Sequence, residues 1–165
     1  MSYLRFAAMI ATSTVIMYGL MYLNTYALDH VFYSQTRLWM ALLMGATMAV
    51  IMLGFMWSMY NRAAVNYAII AGAIAVFAGS LFLVRSQALV GDVDYMRAMI
   101  PHHSIAVLTS TNANIRDARV RELADEIIAA QVREIDEMKA LIAELETNPP
   151  PADAPVLAPR AADAP

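Results

Sequence analysis

The sequence predicts an all-α protein with three transmembrane helices followed by a soluble helical hairpin. Hydrophobic residues make up 60% of its 165 residues, whereas soluble domains are about half apolar. Three runs, residues 6–28, 38–61 and 63–84, contain no Lys, Arg, Asp or Glu, and about 20 apolar residues suffice to span a bilayer as a helix. From residue 91 the chain becomes charge-rich, with apolar residues at helical spacing. We therefore predict a membrane domain over residues 1–90, a hairpin domain over 91–146 and a tail over 147–165.

The first uncharged run is predicted to be a retained transmembrane helix and not a secretory signal. The apolar region of a signal peptide is roughly 7–15 residues long and ends at small residues. This run continues through Tyr18, Tyr22 and Tyr26. Its length and bulky end favour a permanent membrane span.

Basic residues flank the uncharged runs and set an expected orientation. Only Arg62 lies between the second run and the third, and the predicted connection is Asn61 and Arg62, so these two spans should form an antiparallel pair. The count of Lys and Arg in the connecting loops is nearly balanced, but we expect the N-terminus in the cytoplasm, with Arg5 and Arg62 on that side. Three spans then place the hairpin domain on the opposite side of the membrane.

Two caps and one polar cluster define the predicted hairpin. Asp92 is expected to cap a helix over residues 93–109, and the sequence TSTNAN at 109–114 should end it. Asp117 is expected to cap a second helix, in which apolar residues recur at helical spacing. A hairpin of this size buries little core alone. We therefore predict a homo-oligomer, in which two hairpins complete a four-helix bundle.

The tail over residues 147–165 has the composition of a disordered segment. It holds six of the seven prolines of the chain. Proline-rich, alanine-rich sequence of this kind cannot pack a core and adopts extended, polyproline-like conformations.

The predicted hairpin carries candidate metal ligands. At 100° per residue, Met96, Met99 and His103 share one helix stripe, with His102 on its flank. On the second helix one face carries Gln131, Glu134 and Met138. Thioether with imidazole suits copper, above all Cu(I), while imidazole with carboxylate suits zinc or another divalent ion. Spacing alone leaves a third interpretation open, in which the methionines fill gaps in the core.

The motif MRAMIPHH at 96–103 and the later ELADEII and QVREIDEM segments resemble the bacterial family called domain of unknown function 305. The resemblance implies a helical, ferritin-like fold, export from the cytoplasm and, as in some members, copper binding or resistance through Met and His. Together with the three predicted spans and their expected orientation, the resemblance implies a protein of the bacterial inner membrane with a periplasmic hairpin, and we expect a copper-handling protein as partner. By position, the implied ligands are Met96, Met99, His102, His103 and Met138, with Gln131 and Glu134 as polar neighbours.

A methionine row runs through the second predicted span. It repeats every fourth residue and comprises Met40, Met44, Met48, Met52 and Met56. Uncharged thioethers are tolerated in hydrocarbon and would suit passage of Cu(I). The same spacing also arises from ordinary ridge packing between helices, so both interpretations stay open.

The expected function is therefore copper sequestration or delivery by a membrane-anchored protein, without enzymatic turnover. Ferritin-like di-iron centres need Glu-x-x-His pairs, and the sequence has none. A net charge of −3 with dispersed basic residues does not indicate nucleic acid as a partner. The alternative is a non-catalytic structural or interaction subunit of a membrane complex that uses the hairpin to oligomerise.

Overall fold

The computed structural model describes residues 2–151 and 153–158, and within these residues the chain is all-α. Its helices are joined by short segments that include 3-10 turns at Leu28–His30 and Trp57–Met59. The five α-helices are α1 (Tyr3–Leu20), α2 (Gln35–Phe55), α3 (Ala63–Ser86), α4 (Asp92–Asn112) and α5 (Ala118–Thr147).

Helices α1, α2 and α3 are each long and apolar enough to cross a membrane. Helix α2 is the central one and packs against both of the others. Its buried side chains include a row at every fourth position, Ala41, Gly45, Ala49 and Leu53. At Gly45 the approach of α1 is so close that an added Cβ would lie 2.3 Å from Oγ1 of Thr14. Small residues on α2 therefore permit close packing of the membrane-length helices.

Two of the membrane-length helices end earlier than the uncharged runs. Helix α1 ends at Leu20, although the run continues to residue 28, and α2 ends at Phe55, although its run continues to 61. At its other end α2 begins at Gln35, because Oγ of Ser34 accepts a hydrogen bond from the backbone N–H of Arg37 at 3.2 Å. An absence of charge marks apolar sequence but does not mark where a helix stops.

Helix α3 has a row of small residues at every fourth position from 71 to 79, and this row does not face α2. Ala71, Ala75 and Gly79 are exposed, while the buried residues of α3 are Asn66, Ala73 and Ser80. The buried amide of Asn66 accepts from the hydroxyl of Tyr3 at 2.8 Å and donates to the backbone carbonyl of Tyr60 at 3.0 Å. At one end of the α2–α3 contact, the buried Asn66 side chain is thus hydrogen-bonded through both its oxygen and its nitrogen.

Helices α4 and α5 form the predicted hairpin. The expected cap at Asp117 is confirmed, since its carboxylate accepts from the backbone N–H of Arg119 at 2.9 Å. The expected cap at Asp92 is wrong by one residue: Gly91 holds the cap position, and Asp92 lies in the first turn, where a negative charge favours the helix dipole. Helix α4 continues through Pro101 as one helix and ends at Asn112, inside the polar cluster that was expected to end it.

A small apolar core holds the hairpin together and also receives a residue from the segment between α1 and α2. The core consists of Met96, Ile100, Ile135 and Ile142, and Phe32 packs against it. We call residues 21–34 the connector. Its docking places the α1–α2 link and the hairpin at the same end of the membrane-length helices. A single chain is described, so completion of a four-helix bundle by a second copy stays a prediction.

The predicted tail contains no helix or strand from residue 149 onward, within the part of it that the structure describes. Helix α5 reaches Thr147, the first residue of the predicted tail. Positions 152 and 159–165 lie outside the described residues.

Candidate metal centre

A surface pocket of about 450 Å³ lies between α4 and α5. Five of the seven residues predicted from sequence as ligands or polar neighbours line it: Met96, Met99, His103, Glu134 and Met138. The two helices bring them together because Met96, Met99 and His103 share a stripe on α4, while Glu134 and Met138 are four residues apart on α5. The structure thus places soft sulfur donors, an imidazole and a carboxylate around one space.

The imidazole of His103 is the most constrained of these groups. Its Nδ1 lies 2.9 Å from the backbone carbonyl oxygen of Met99, and its Nε2 lies 2.8 Å from Oε2 of Glu134. Because a carbonyl oxygen can only accept, Nδ1 carries a proton and Nε2 is directed into the pocket. Histidines that bind metals commonly donate their second ring N–H to a backbone carbonyl or carboxylate in this way. The contact between Nε2 and Glu134 also requires a proton, on Nε2 or on the carboxyl group, and an ion bound through Nε2 would replace that proton.

The Glu134 carboxylate lies close enough to Nε2 of His103 for one ion to contact both groups. With metal–ligand bonds near 2.0–2.1 Å, a tetrahedral ion separates nitrogen and oxygen ligands by about 3.3 Å. The observed separation of 2.8 Å would have to widen by about 0.5 Å. The Glu134 side chain is 42% exposed and that of His103 only 13%. The carboxylate is therefore the partner free to move, and the imidazole stays fixed.

Five further residues line the pocket that were not predicted from the sequence: the apolar Leu141 and Leu145, and the polar Asp92, Tyr95 and Glu137. Their signal was present in the helical spacing, since Asp92 and Tyr95 precede Met96 and Met99 by four residues, the distance of one helical turn. With Glu134 the pocket holds three carboxyl groups and one imidazole. This excess of acidic groups favours a cation over an anion as its occupant.

Two predicted residues lie outside the pocket. His102 is exposed, and the centre of its ring lies 6.1 Å from that of His103 with the planes at 65°. Gln131 is half-buried but does not line the pocket. The two adjacent histidines thus have different surroundings, and one chain brings a single imidazole to this space.

Hard donors alone do not make a site here. Among the residues that the structure describes, no three His, Asp or Glu side chains are grouped closely enough to hold one metal ion. An ion bound to His103 and Glu134 would take its further ligands from the neighbouring thioethers or from water. Thioether ligands favour a soft ion, whereas water ligands favour a hard one.

The methionine row of α2 has different surroundings. Met40, Met44, Met48 and Met52 are half-buried along the helix, next to the buried row of small residues, and Met56 follows the last residue of α2. Both Met52 and Met56 pack against the apolar cluster of the membrane-length helices. Their positions are compatible with packing, and passage of metal along them remains a prediction.

Residues 92–163 match the family model of the Domain of unknown function (DUF305). The match supports that family for the hairpin segment and covers less than half of the 165-residue chain. The membrane-length helices α1–α3 lie outside the DUF305 match.

The chain also has a relative among curated proteins. An uncharacterized protein of Acanthamoeba polyphaga mimivirus is 38% identical over 66 residues, which are 39% of this chain and 43% of that protein. The chain thus aligns with less than half the length of this relative. No solved structure matches the chain.

Proposed function

We propose that this protein is a membrane-anchored metal-binding protein that holds copper in the α4–α5 pocket and sequesters or delivers it. The observation that supports the proposal most strongly is the convergence of Met96, Met99, Met138 and His103 on one space. Thioethers and imidazole favour Cu(I) over hard divalent ions, while His103 with Glu134 offers an alternative for zinc. The anchor is the set α1–α3, in a bacterial inner membrane with the N-terminus in the cytoplasm and the hairpin in the periplasm.

Storage or delivery fits this pocket better than turnover. The pocket is open at the protein surface and its donors include uncharged thioethers, which exchange a soft ion readily with another soft-donor site. A copper-handling protein can therefore take the ion directly. Pairing of two hairpins into a four-helix bundle would cover the pocket and slow this exchange.

Metal analysis of the purified full-length protein in detergent tests the proposal. We expect copper at a stoichiometric level after loading with Cu(I) under reducing conditions. His103→Gln should weaken Cu(I) binding by about 10–100-fold in a competition with a chelator of known affinity. The matched control is Met9→Leu, on α1 and outside the pocket. Wild-type protein that holds no copper, or an unchanged affinity in His103→Gln, would contradict the proposal.

A second candidate function is a non-catalytic structural or interaction subunit that uses the hairpin to oligomerise. One observation favours it: both ring nitrogens of His103 already have partners within the chain, at 2.9 and 2.8 Å. On that interpretation the His103–Glu134 pair only links α4 to α5. Native mass spectrometry separates the two functions, because a structural subunit would assemble through its hairpin and carry no metal before or after loading.

The proposed topology has its own test. The chain contains no cysteine, so single cysteines report cleanly. Ala140→Cys on the exposed face of α5 should react with a membrane-impermeant thiol reagent once the outer membrane is permeabilised. Asn61→Cys, between α2 and α3, should react only after the inner membrane is opened. The reverse pattern would place the hairpin in the cytoplasm.

A further inference from the structure

The third histidine of the chain, His30, lies in the connector and joins it to α4. Its side chain is only 13% exposed. The ring atom Nδ1 lies 2.9 Å from Oγ of Ser104, which is fully buried on α4. The same hydroxyl accepts a hydrogen bond from the backbone N–H of Tyr26 at 2.7 Å. Ser104 therefore holds the connector at two points.

The hydrogen-bonding capacity of the Ser104 hydroxyl determines which protonation state of His30 fits this site. A serine hydroxyl has one proton and two lone pairs. Tyr26 occupies one lone pair, and neutral His30 can accept the hydroxyl proton at Nδ1. An imidazolium carries a proton on Nδ1 and can only donate. Ser104 would then have to turn its own proton elsewhere within a buried site, at the cost of an unsatisfied polar group unless the backbone supplies an acceptor.

The charges around His30 come from its own segment and from α5. Nε2 lies 3.9 Å from Oδ2 of Asp29, and that carboxylate accepts from Nζ of Lys139 at 2.6 Å. Burial lowers the pKa of His30, and the Lys139 ammonium lowers it further, while Asp29 and Asp136 act in the opposite direction. The net result is a pKa of His30 below its ordinary value. The hydrogen bond from Lys139 lowers the pKa of Asp29, which keeps that carboxylate ionised.

We propose that the contact between His30 and Ser104 is a pH-operated latch, which holds the connector on the hairpin near neutral pH and releases it on acidification. The latch is independent of the proposed metal binding, because neither residue lines the α4–α5 pocket. Release would separate the connector from α4 and uncover the hairpin core where Phe32 packs. The latch would therefore make the arrangement of the hairpin on its membrane anchor depend on the acidity outside the membrane.

The direction of the pH effect follows from linkage. His30 binds a proton less readily when latched than when free, so each proton taken up favours the free state. The latch contributes fully above the ordinary histidine pKa of about 6.5. Its contribution falls as the pH drops below that value toward the lowered pKa of the latched ring.

Distance measurements between two spin labels on the metal-free, full-length protein in lipid nanodiscs test the latch. The cysteine-free chain allows labels at Leu28→Cys on the connector and Glu122→Cys on α5, both exposed. Position 122 lies roughly 25 Å along α5 from Lys139, at 1.5 Å per residue. We expect one narrow distance distribution at pH 8 and a broad, longer one at pH 5. A distribution that stays unchanged over this range would overturn the proposal.

Variants identify the histidine responsible. His30→Gln keeps a neutral hydrogen-bonding side chain, so its distance distribution should be narrow at both pH values. His30→Lys carries a permanent charge, and its distance distribution should be broad at both. His102→Gln is the matched control and should keep the wild-type pH response, because His102 is exposed and outside the pocket. Loss of the response in this control, or its persistence in His30→Gln, would overturn the latch.

A further measurement covers the case in which His30→Gln is broad at both pH values. Isotope labelling of histidine allows the three rings to be followed by NMR, and the signal absent from His30→Gln identifies His30. Its titration midpoint must coincide with that of the distance change. A different midpoint would assign the movement to another group and end the proposal.

Discussion

Two groups of methionines in this protein both arise from helical spacing but have different surroundings, and the surroundings determine which role each group can have. The row on α2, from Met40 to Met56, is half-buried among the apolar and small residues of the membrane-length helices. The group on the hairpin, Met96, Met99 and Met138, shares a pocket with His103 and with carboxyl groups. The residue type is the same in both groups, and helical spacing generates both. The second group lies beside an imidazole and carboxyl groups, which the proposed copper site would use.

This difference separates packing from coordination. A thioether is a weak, uncharged ligand, so a row of thioethers gains little affinity until a stronger donor fixes the ion. Methionine also fills irregular gaps between helices well. The row on α2 fills gaps between helices and has no stronger donor described beside it. In the pocket, Met96 and Met138 have both packing contacts and an imidazole nearby.

The largest expected effect comes from exchanging the two groups for leucine, which nearly conserves volume. Replacement of Met96, Met99 and Met138 together should lower Cu(I) affinity by about 100-fold or more, which corresponds to about 2.7 kcal/mol. Replacement of Met44, Met48 and Met52 should change it by less than about threefold, as expected for packing residues. Competition with a Cu(I) chelator measures both. Equal losses in the two variants would remove the distinction between the groups.

The next prediction concerns how the membrane-length helices pack. Gly45→Ala would bring a methyl group 2.3 Å from Oγ1 and 3.3 Å from Cβ of Thr14. Thr14 resists rotation because its hydroxyl donates to the carbonyl of Ile10 at 2.8 Å and because β-branched side chains are stiff in helices. We expect a loss of about 1–3 kcal/mol in stability, as for other overpacked sites.

Gly54→Ala is the matched control for that variant, because a Cβ there meets no atom within 4 Å. It should be neutral or slightly stabilising, since alanine is the better helix former. Thermal denaturation in detergent compares the two variants. If Gly45→Ala is as stable as Gly54→Ala, the contact between α1 and α2 does not hold the membrane-length helices together.

Helical periodicity predicted most of the pocket but none of the connector. Met96, Met99 and His103 are linked by spacing within α4, and closing one hairpin brings them to Glu134 and Met138. This is local geometry that a sequence carries openly. The position of His102 was less predictable, because it adjoins His103 in sequence but is exposed outside the pocket.

The contacts of the connector illustrate what spacing cannot provide. Tyr26 and His30 meet Ser104 across 78 and 74 residues of sequence, and Asp29 meets Lys139 across 110. Such pairs leave no periodic trace, and in sequence the connector looks like the end of an apolar run. Helix α1 ends at Leu20, and from Tyr26 to Phe32 the connector contacts the hairpin, so this part of the uncharged run does not continue the span.

The smallest expected effect is that of His102→Gln, which tests whether one chain alone supplies the imidazole of the proposed copper site. His102 is exposed and outside the pocket, so in an isolated chain its loss should change Cu(I) affinity by less than about twofold, well below the 10–100-fold typical of residues that support a metal site. A second copy could change this result, because an imidazole on the rim of one hairpin can reach an ion held by its neighbour in a four-helix bundle. Titration of His102→Gln at protein concentrations below and above that of self-association distinguishes the two situations. A loss confined to the associated form would make His102 a ligand supplied between copies, whereas a small, concentration-independent effect would leave His103 as the imidazole donor of a pocket built by one chain.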